Sequence, residues 1–478
     1  MDLPSIITTV IQGESLGVNE IKTICIIGAG PAGLAALKVI LDTPQFKSGL
    51  WSPVVYESRD KIGGVWVPAP PTNDPPLTPL YDSLTTNLPH PIMAFTSYSF
   101  PPSTPVFPHA SVVKKYLEDY ADHFILTPYI QLKTTVKAVE RDGFKWKVTL
   151  STQQTCHYDL VIVCNGHYKV PRYPNTRGLG EWLNTGRASH AAWYRHPHNM
   201  GNIVLVVGAG PSGQDISTEM QTVATTVIHS ITGVIREEIG NLKRRGRVVE
   251  FRSGGEVLFE DGTTESSIDH AILATGYEFS FPFFSDSIIR SQVPLPIPPF
   301  PREISNSTYH LFPLAKHIFP LQPNFPVTSL AFLGLLIKVA PFPLVEAQAR
   351  AVVQAFVDLE SLNQTQEAVD IISRYEDLRS QSSDEIFIAK EWHKFKPREQ
   401  FDYRDSYREV PEWEKEMYDN KNILRKAWIE LVNRGEADNW VQGVGEGGPH
   451  EWIDLLRKML RWAEEQGIHV TEFDKSKL

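Results

Sequence analysis

The chain has 478 residues, of which 42% are hydrophobic and 21% charged, with a formal net charge of −10. This length allows about three domains with ample buried core. The acidic balance gives nucleic acid no broad basic face to grip, and the one dense basic run, Lys243-Arg244-Arg245-Gly246-Arg247, is short enough to read as a solvated turn. No apolar run reaches the roughly eighteen residues of a spanning helix, and the opening MDLPSIITTVIQGES lacks the basic and apolar regions of a signal peptide. Cys25, Cys156 and Cys164 form no C-x-x-C pair, which suits small core residues in a reducing compartment, so the expected location is the cytoplasm.

In chain order, the first informative stretch is Ile24 to Leu34, ICIIGAGPAGL, an apolar strand breaking into glycines and continuing as a helix. This is the dinucleotide fingerprint. Gly28 allows the sharp turn, Gly30 leaves bare backbone for a pyrophosphate, and Gly33 lets the helix lie close to the strand. The helix start at Pro31 and Ala32 aims free N–H groups at the anion. A second strand, Val54-Val55-Tyr56, ends in Glu57, whose carboxylate suits ribose hydroxyls and repels a 2′-phosphate, so this site fits FAD or NAD. Gly63-Gly64-Val65-Trp66 reads either as a turn that approaches a flat ligand while Trp66 covers it or as a plain Gly-Gly turn. After a Pro-rich stretch from Pro68 to Pro79, Asn87 offers a side-chain amide that either pairs with a ring system or caps the turn before Leu88-Pro89.

Apolar spacing predicts a helix over Ser111 to Phe124, and alternation predicts antiparallel strands over Ile130 to Val139 and Phe144 to Leu150. The run Asp159 to Cys164 reads as a buried strand entering Asn165-Gly166-His167. A second fingerprint, NIVLVVGAGPSGQD from Asn202 to Asp215, places Gly208 180 positions after Gly28 and adds Gly210, Pro211, Ser212 and Gly213. Two separate nucleotide sites on one chain are the economical reading. Its second strand, Thr226 to Ser230, ends without an acid. Hydroxyls at Ser230 and Thr232, with cations at Arg236 or in the Lys243 to Arg247 run, suit a 2′-phosphate and point to NADPH. Ile268 to Ala274 is again a strand, running into Thr275-Gly276-Tyr277. Prolines break Pro294 to Pro301 and Pro313 to Pro326, and a helix is expected over Leu344 to Leu362. Two apolar faces, Ala368/Ile371/Ile372/Tyr375 and Trp452/Leu455/Leu456/Met459/Leu460, read as core packing. The aromatic run from Trp392 to Tyr418 either caps a site or wraps the surface.

Between the fingerprints stands Asn184-Thr185-Gly186-Arg187-Ala188-Ser189-His190-Ala191-Ala192-Trp193-Tyr194. With GAGPAGL, ILATGY and FPLVEAQAR, it resembles the flavin-containing monooxygenases, and most closely their fungal members. Their linker signature F-x-G-x-x-x-H-x-x-x-Y/F is matched at Gly186, His190 and Tyr194, with Asn184 in place of the aromatic residue. The resemblance implies an α/β fold of two Rossmann-like dinucleotide-binding domains, with the FAD domain over 1–171, an inserted NADPH domain over 172–300, and 301–478 completing the FAD domain and adding a helical C-terminal region. It also implies that Gly28, Gly30, Gly33 and Glu57 hold FAD, with Gly64, Trp66 and Gln348 near its ring or ribityl chain. Gly208, Gly210, Ser212 and Gly213 are implied to hold NADP⁺, with Ser230 and Thr275 beside that cofactor. Asn87 is implied to be the catalytic amide touching the flavin or the retained nicotinamide.

The implied reaction uses NADPH and O2 to oxygenate a soft nitrogen or sulfur atom of a small molecule through a flavin 4a-hydroperoxide. Baeyer-Villiger oxidation and amino-acid N-hydroxylation are the alternatives, and Tyr194 in place of the Trp usual in Baeyer-Villiger relatives favours heteroatom oxygenation. A homo-oligomer is neither required nor excluded. The absence of a redox cysteine pair after Gly63-Gly64 argues against a disulfide reductase, and two intact fingerprints argue against a non-catalytic escort protein. His190, His196 and His198 lack metal-ligand spacing, so no metal is expected.

Overall fold

Residues 21–469, apart from 235, 295, 298 and 397, are described by the computed structural model, so the opening stretch read for a signal peptide lies outside them. The β-branched run Lys22–Ile27 forms β1, buried from Ile24 onward, and Gly28 turns the chain at φ +105°. Pro31 starts α1 (Pro31–Leu41), where its fixed φ is preorganised for a helix. Every residue from Gly33 to Ile40 is buried, so α1 is a core helix rather than an amphipathic surface one. β2 (Trp51–Tyr56) lies parallel to β1 with Ile27 opposite Tyr56. α2 (Ala110–His123) buries Val113, Tyr116, Leu117, Tyr120 and Ala121, an i, i+3, i+4 stripe on the face expected from its spacing. β3 (Ile130–Gln131) and β4 (Leu160–Val163) follow in the same parallel sheet.

The second unit consists of β5 (Ala188–His190), β6 (Ile203–Val207), α3 (Pro211–Met220), β7 (Thr226–Ser230), β8 (Glu237–Ile239), β9 (Leu242–Arg245) and β10 (His270–Leu273). The chain then returns through β11 (Leu330–Phe332) and α4 (Pro341–Val357). The first sheet runs β11-β4-β1-β2-β3 and the second β8-β9-β7-β6-β10-β5, with only β8 antiparallel to its neighbour. Both are doubly wound parallel sheets of the kind that bind ligands beyond their carboxyl ends. α5 (Lys421–Asn433) and α6 (Pro449–Glu465) pack on each other and share one hydrophobic cluster with α1 and α4. Among the described residues no helix is long and apolar enough to cross a membrane.

Several expectations are corrected. The stretch expected as one strand over Ile130 to Val139 splits: Ile130 and Gln131 pair with β2, the chain turns at Lys133 (φ +54°), and Val136–Asp142 then pairs antiparallel with Lys145–Leu150. Phe144, expected inside a strand, sits at that hairpin's tip and is 93% exposed. Phe279, Phe281 and Phe283 join Val139, Trp146 and Phe332 in one hydrophobic cluster. α4 stops at Val357 rather than running to Leu362, and Ile372, expected in a core face, is 37% exposed. The aromatic run after Trp392 does more than wrap the surface. Its His393 carbonyl accepts from Ile337 N (2.9 Å), Gln400 Oε1 from Ala340 N (2.8 Å), and Tyr418 donates to the Lys338 carbonyl (2.6 Å). It braces the loop between β11 and α4.

Candidate active site

The first glycine turn is built from contacts only glycine allows. A Cβ on Gly28 would stand 2.6 Å from the Cys164 carbonyl oxygen, and one on Gly33 would stand 1.9 Å from the Gly28 oxygen. Both are closer than real Cβ atoms approach backbone, so turn, strand and helix close on one another. No side chain caps α1, and its first turn holds no acid, leaving the N–H groups that a helix cannot satisfy itself to face an anion. At Gly30 the neighbouring space belongs to the second glycine loop: its Cβ would meet Gly64 Cα at 3.4 Å, and Gly63 N donates to the Ala29 carbonyl at 2.9 Å. Arg59, which the sequence did not single out, fastens that loop by donating to the Gly64 (3.3 Å) and Val67 (2.9 Å) carbonyls.

Glu57 is buried at the end of β2, accepting from Ala29 N (2.8 Å) and from Arg59 N (2.8 Å). Its carboxylate therefore ties β2 to the glycine turn; Oε1 also accepts from the Ser58 hydroxyl (3.2 Å), and Oε2 retains a lone pair suited to a ribose hydroxyl. Trp66 is half-buried and meets Phe342 in a T-shaped contact. Gln348 is fully buried on α4, where Oε1 accepts from Gly334 N at 2.9 Å and so fixes the turn that follows β11.

The second turn repeats the construction. A Cβ on Gly208 would lie 2.2 Å from the Ala274 oxygen and one on Gly213 2.1 Å from the Gly208 oxygen, while Gly210 faces open space. α3 also begins without a side-chain cap at Pro211 and Ser212. Two cradles shaped for a pyrophosphate thus stand on one chain, and the residues present fit a dinucleotide at each. Thr275 donates to the Arg172 carbonyl at 2.6 Å and acts within the fold, beside the turn at Gly276. Ser230 corrects an expectation: it is 3% exposed and donates to the Gly246 carbonyl at 2.9 Å, so its hydroxyl does not face a ligand.

The linker signature is fixed by hydrogen bonds to the second unit. Gly186 ends a short helix with φ +73°. His190 closes β5: Nε2 donates to the Gly276 carbonyl (3.0 Å) and Nδ1 accepts from Ala192 N (3.0 Å), a pairing that requires the neutral ring. Burial pulls its pKa down to about 4, against the Gly276 bond, which raises it. Tyr194 is buried and donates to Glu219 of α3 at 2.7 Å. Among the described residues no group of three or more His, Cys, Asp or Glu is placed to hold a metal ion.

Asn87 lies exposed in its loop, and its amide has no protein partner among the described residues. The backbone beside it is pinned from two directions. Arg425 of α5 donates to the Thr86 carbonyl (3.1 Å) and to Asp215 of α3 (3.0 Å), while Tyr81 donates to the other Asp215 oxygen at 2.6 Å. Burial, and then the Asp215 charge, hold the Tyr81 phenol well above its usual range and keep it a donor. The C-terminal helices, the Asn87 loop and the second cradle therefore meet at one carboxylate. Arg425→Met is expected to speed amide hydrogen exchange over residues 84–90 by about tenfold, the scale of one charge-assisted bond, with α1 amides unchanged. Equal protection of that loop in both proteins would show that Arg425 does not restrain it.

The family model described as flavin-binding monooxygenase-like matches residues 21–235 and 233–396. The thiol-specific monooxygenase of Saccharomyces cerevisiae is 31% identical over 357 residues, which cover 71% of this chain and 78% of that protein. Flavin-containing monooxygenase FMO GS-OX-like 4 of Arabidopsis thaliana is 28% identical over 472 residues, covering 90% of this chain and 96% of its own. Among solved structures, S-allyl-L-cysteine S-oxygenase from Allium sativum superposes with a TM-score of 0.72 at 26% identity, covering 93% of this chain and 98% of that one.

Proposed function

Because the chain belongs to the flavin-binding monooxygenase-like family, we propose that it inserts one oxygen atom of O2 into a soft sulfur or nitrogen atom of a small molecule. It is a flavin-containing monooxygenase, and its cofactors are FAD and NADPH. The first cradle, with Gly28, Gly30, Gly33, Gly64 and Glu57, would hold FAD, and Gly208, Gly210, Ser212 and Gly213 would hold NADPH. Bound FAD, reduced by NADPH, supplies the oxidising oxygen from O2. For a thioether the balance is one thioether, O2, NADPH and a proton giving sulfoxide, water and NADP⁺.

The chain's own contribution is positioning and dryness. A thioether or amine attacks with its own lone pair, so the protein needs neither a nucleophile nor a strong acid. Asn87 is the observation that carries the reading. It is a neutral amide, able to donate and accept, without a protein partner among the described residues, on a loop anchored to the nucleotide helix through Arg425 and Asp215. Sulfur is favoured over nitrogen because two of the similar proteins are named for thiol and S-oxygenase activity.

The test is NADPH consumption against a thioether, a free thiol, a tertiary amine and a cyclic ketone, with hydrogen peroxide quantified alongside. Coupled turnover of the thioether or thiol is expected. Coupled oxidation of the ketone alone would replace this reading with Baeyer-Villiger oxidation. Asn87→Ala is expected to keep FAD and to divert most NADPH electrons to hydrogen peroxide, since one hydrogen-bonding group and its shielding are lost. Product formation still matching NADPH use would remove Asn87 from the site.

A further inference from the structure

In a dinucleotide fold the adenosine ribose lies past the carboxyl end of the strand that follows the phosphate-binding helix. Here that strand is β7, which ends at Ser230 and passes into the turn Ile231-Thr232-Gly233. Ser230 is buried and committed to Gly246, so a 2′-phosphate needs another partner. Most nearby cations are engaged by carboxylates. Lys243 and Arg245 meet Glu265, and the Arg245 side chain is only 1% exposed; Arg244 pairs with Glu237, and Arg236 with Glu238 at the antiparallel edge.

Arg247 is placed differently. β9 is the parallel neighbour of β7, with Arg245 opposite Ser230 and Ile231 N donating to the Arg245 carbonyl at 2.9 Å. Two residues further on, Arg247 emerges past the same carboxyl edge that carries the Gly208 to Gly213 cradle. Its side chain is 62% exposed, and Glu260 touches it only at Nε, 3.3 Å away. The second Glu260 oxygen accepts from Arg247 N (2.9 Å) and from Gly233 N (3.5 Å), so this carboxylate holds Arg247 against the turn after β7. Both Nη groups are left without a protein partner among the described residues, the fork that matches a phosphate.

We propose that Arg247, supplied by the neighbouring strand β9 rather than by the end of β7, receives the 2′-phosphate of NADPH and sets the preference for NADPH over NADH. Thr232, exposed on the facing turn, offers a hydroxyl beside it. This inference rests on the proposed NADPH site. The experiment is calorimetric titration of the FAD-loaded protein with NADP⁺ and, separately, with NAD⁺.

Arg247→Ala is expected to weaken NADP⁺ binding by roughly 10- to 100-fold, the worth of hydrogen bonds to a charged group, and to leave NAD⁺ binding unchanged. Arg236→Ala is expected to change neither. The unaltered NAD⁺ affinity also reports an intact cradle. If the unmodified protein prefers NADP⁺ and Arg247→Ala retains that preference, or if Arg236→Ala abolishes it, the assignment of Arg247 is overturned while the NADPH site stands. If the unmodified protein binds NADP⁺ no better than NAD⁺, the NADPH reading itself fails.

Discussion

Gly33→Ala is expected to yield a colourless protein that retains little or no FAD after purification. The added methyl carbon would stand 1.9 Å from the Gly28 oxygen and 3.0 Å from its carbonyl carbon, both backbone atoms of the turn that is to hold the pyrophosphate. Neither can rotate away, so α1 must lift off β1. That helix is buried from Gly33 to Ile40 and packs along α4, so lifting it disturbs contacts on every side. Overpacking of this kind costs about 1–3 kcal/mol when side chains can adjust and more when backbone must move. Gly30→Ala is expected to be milder, since its Cβ would meet Gly64 Cα at 3.4 Å and its φ of −77° suits any residue. The ratio of flavin to protein in the visible spectrum decides the matter: a fully flavinated Gly33→Ala protein would mean that the first turn is not the FAD cradle.

The contrast between these glycines explains what was legible in the sequence. Gly28, Gly33, Gly208 and Gly213 announce themselves because their demand is local, a carbonyl within a few residues or at the end of the adjacent strand. Strands β1, β4, β6 and β10 were equally legible, being largely apolar and leading into those turns, whereas β9, Leu242-Lys243-Arg244-Arg245, is charged and read as a solvated turn although Arg245 is buried there. Alternation over Ile130 to Val139 could not show that the first two residues join one sheet and the last four another, because the break at Lys133 uses a left-handed residue that is not glycine. Ser230 had the right chemistry at the right strand end, but the pleat turns its hydroxyl toward Gly246. The residues that frame Asn87 were invisible for a different reason. Arg425 lies 339 positions from Thr86 and 210 from Asp215, and no spacing rule reaches across such distances. Asn87 was legible as a free amide, whereas the junction that positions it exists only in the folded chain.

Gly213→Ala is expected to separate the two cradles. Its Cβ would stand 2.1 Å from the Gly208 oxygen and 3.4 Å from Ala274 Cβ, so the same collision occurs in the second turn. α3 buries only Gly213, Ile216, Ser217 and Met220, and its other contacts are polar ones through Asp215 and Glu219, so the helix can shift at less cost than α1. The protein should therefore fold and remain yellow while NADP⁺ binding weakens by about 100-fold, roughly 2.7 kcal/mol. The first sheet shares no strand with the second, so the displacement need not reach FAD. In the stopped-flow spectrum, the flavin band should bleach with dithionite and persist with NADPH. Bleaching by NADPH at the unmodified rate would show that hydride arrives by a route other than the second cradle, and the division of labour between the two turns would have to be abandoned. The displaced α3 carries Asp215, the carboxylate that Tyr81 and Arg425 share, so any reduction that survives should also release more hydrogen peroxide. A variant that reduces slowly yet stays fully coupled would confine the role of α3 to holding the nucleotide and detach it from the Asn87 loop.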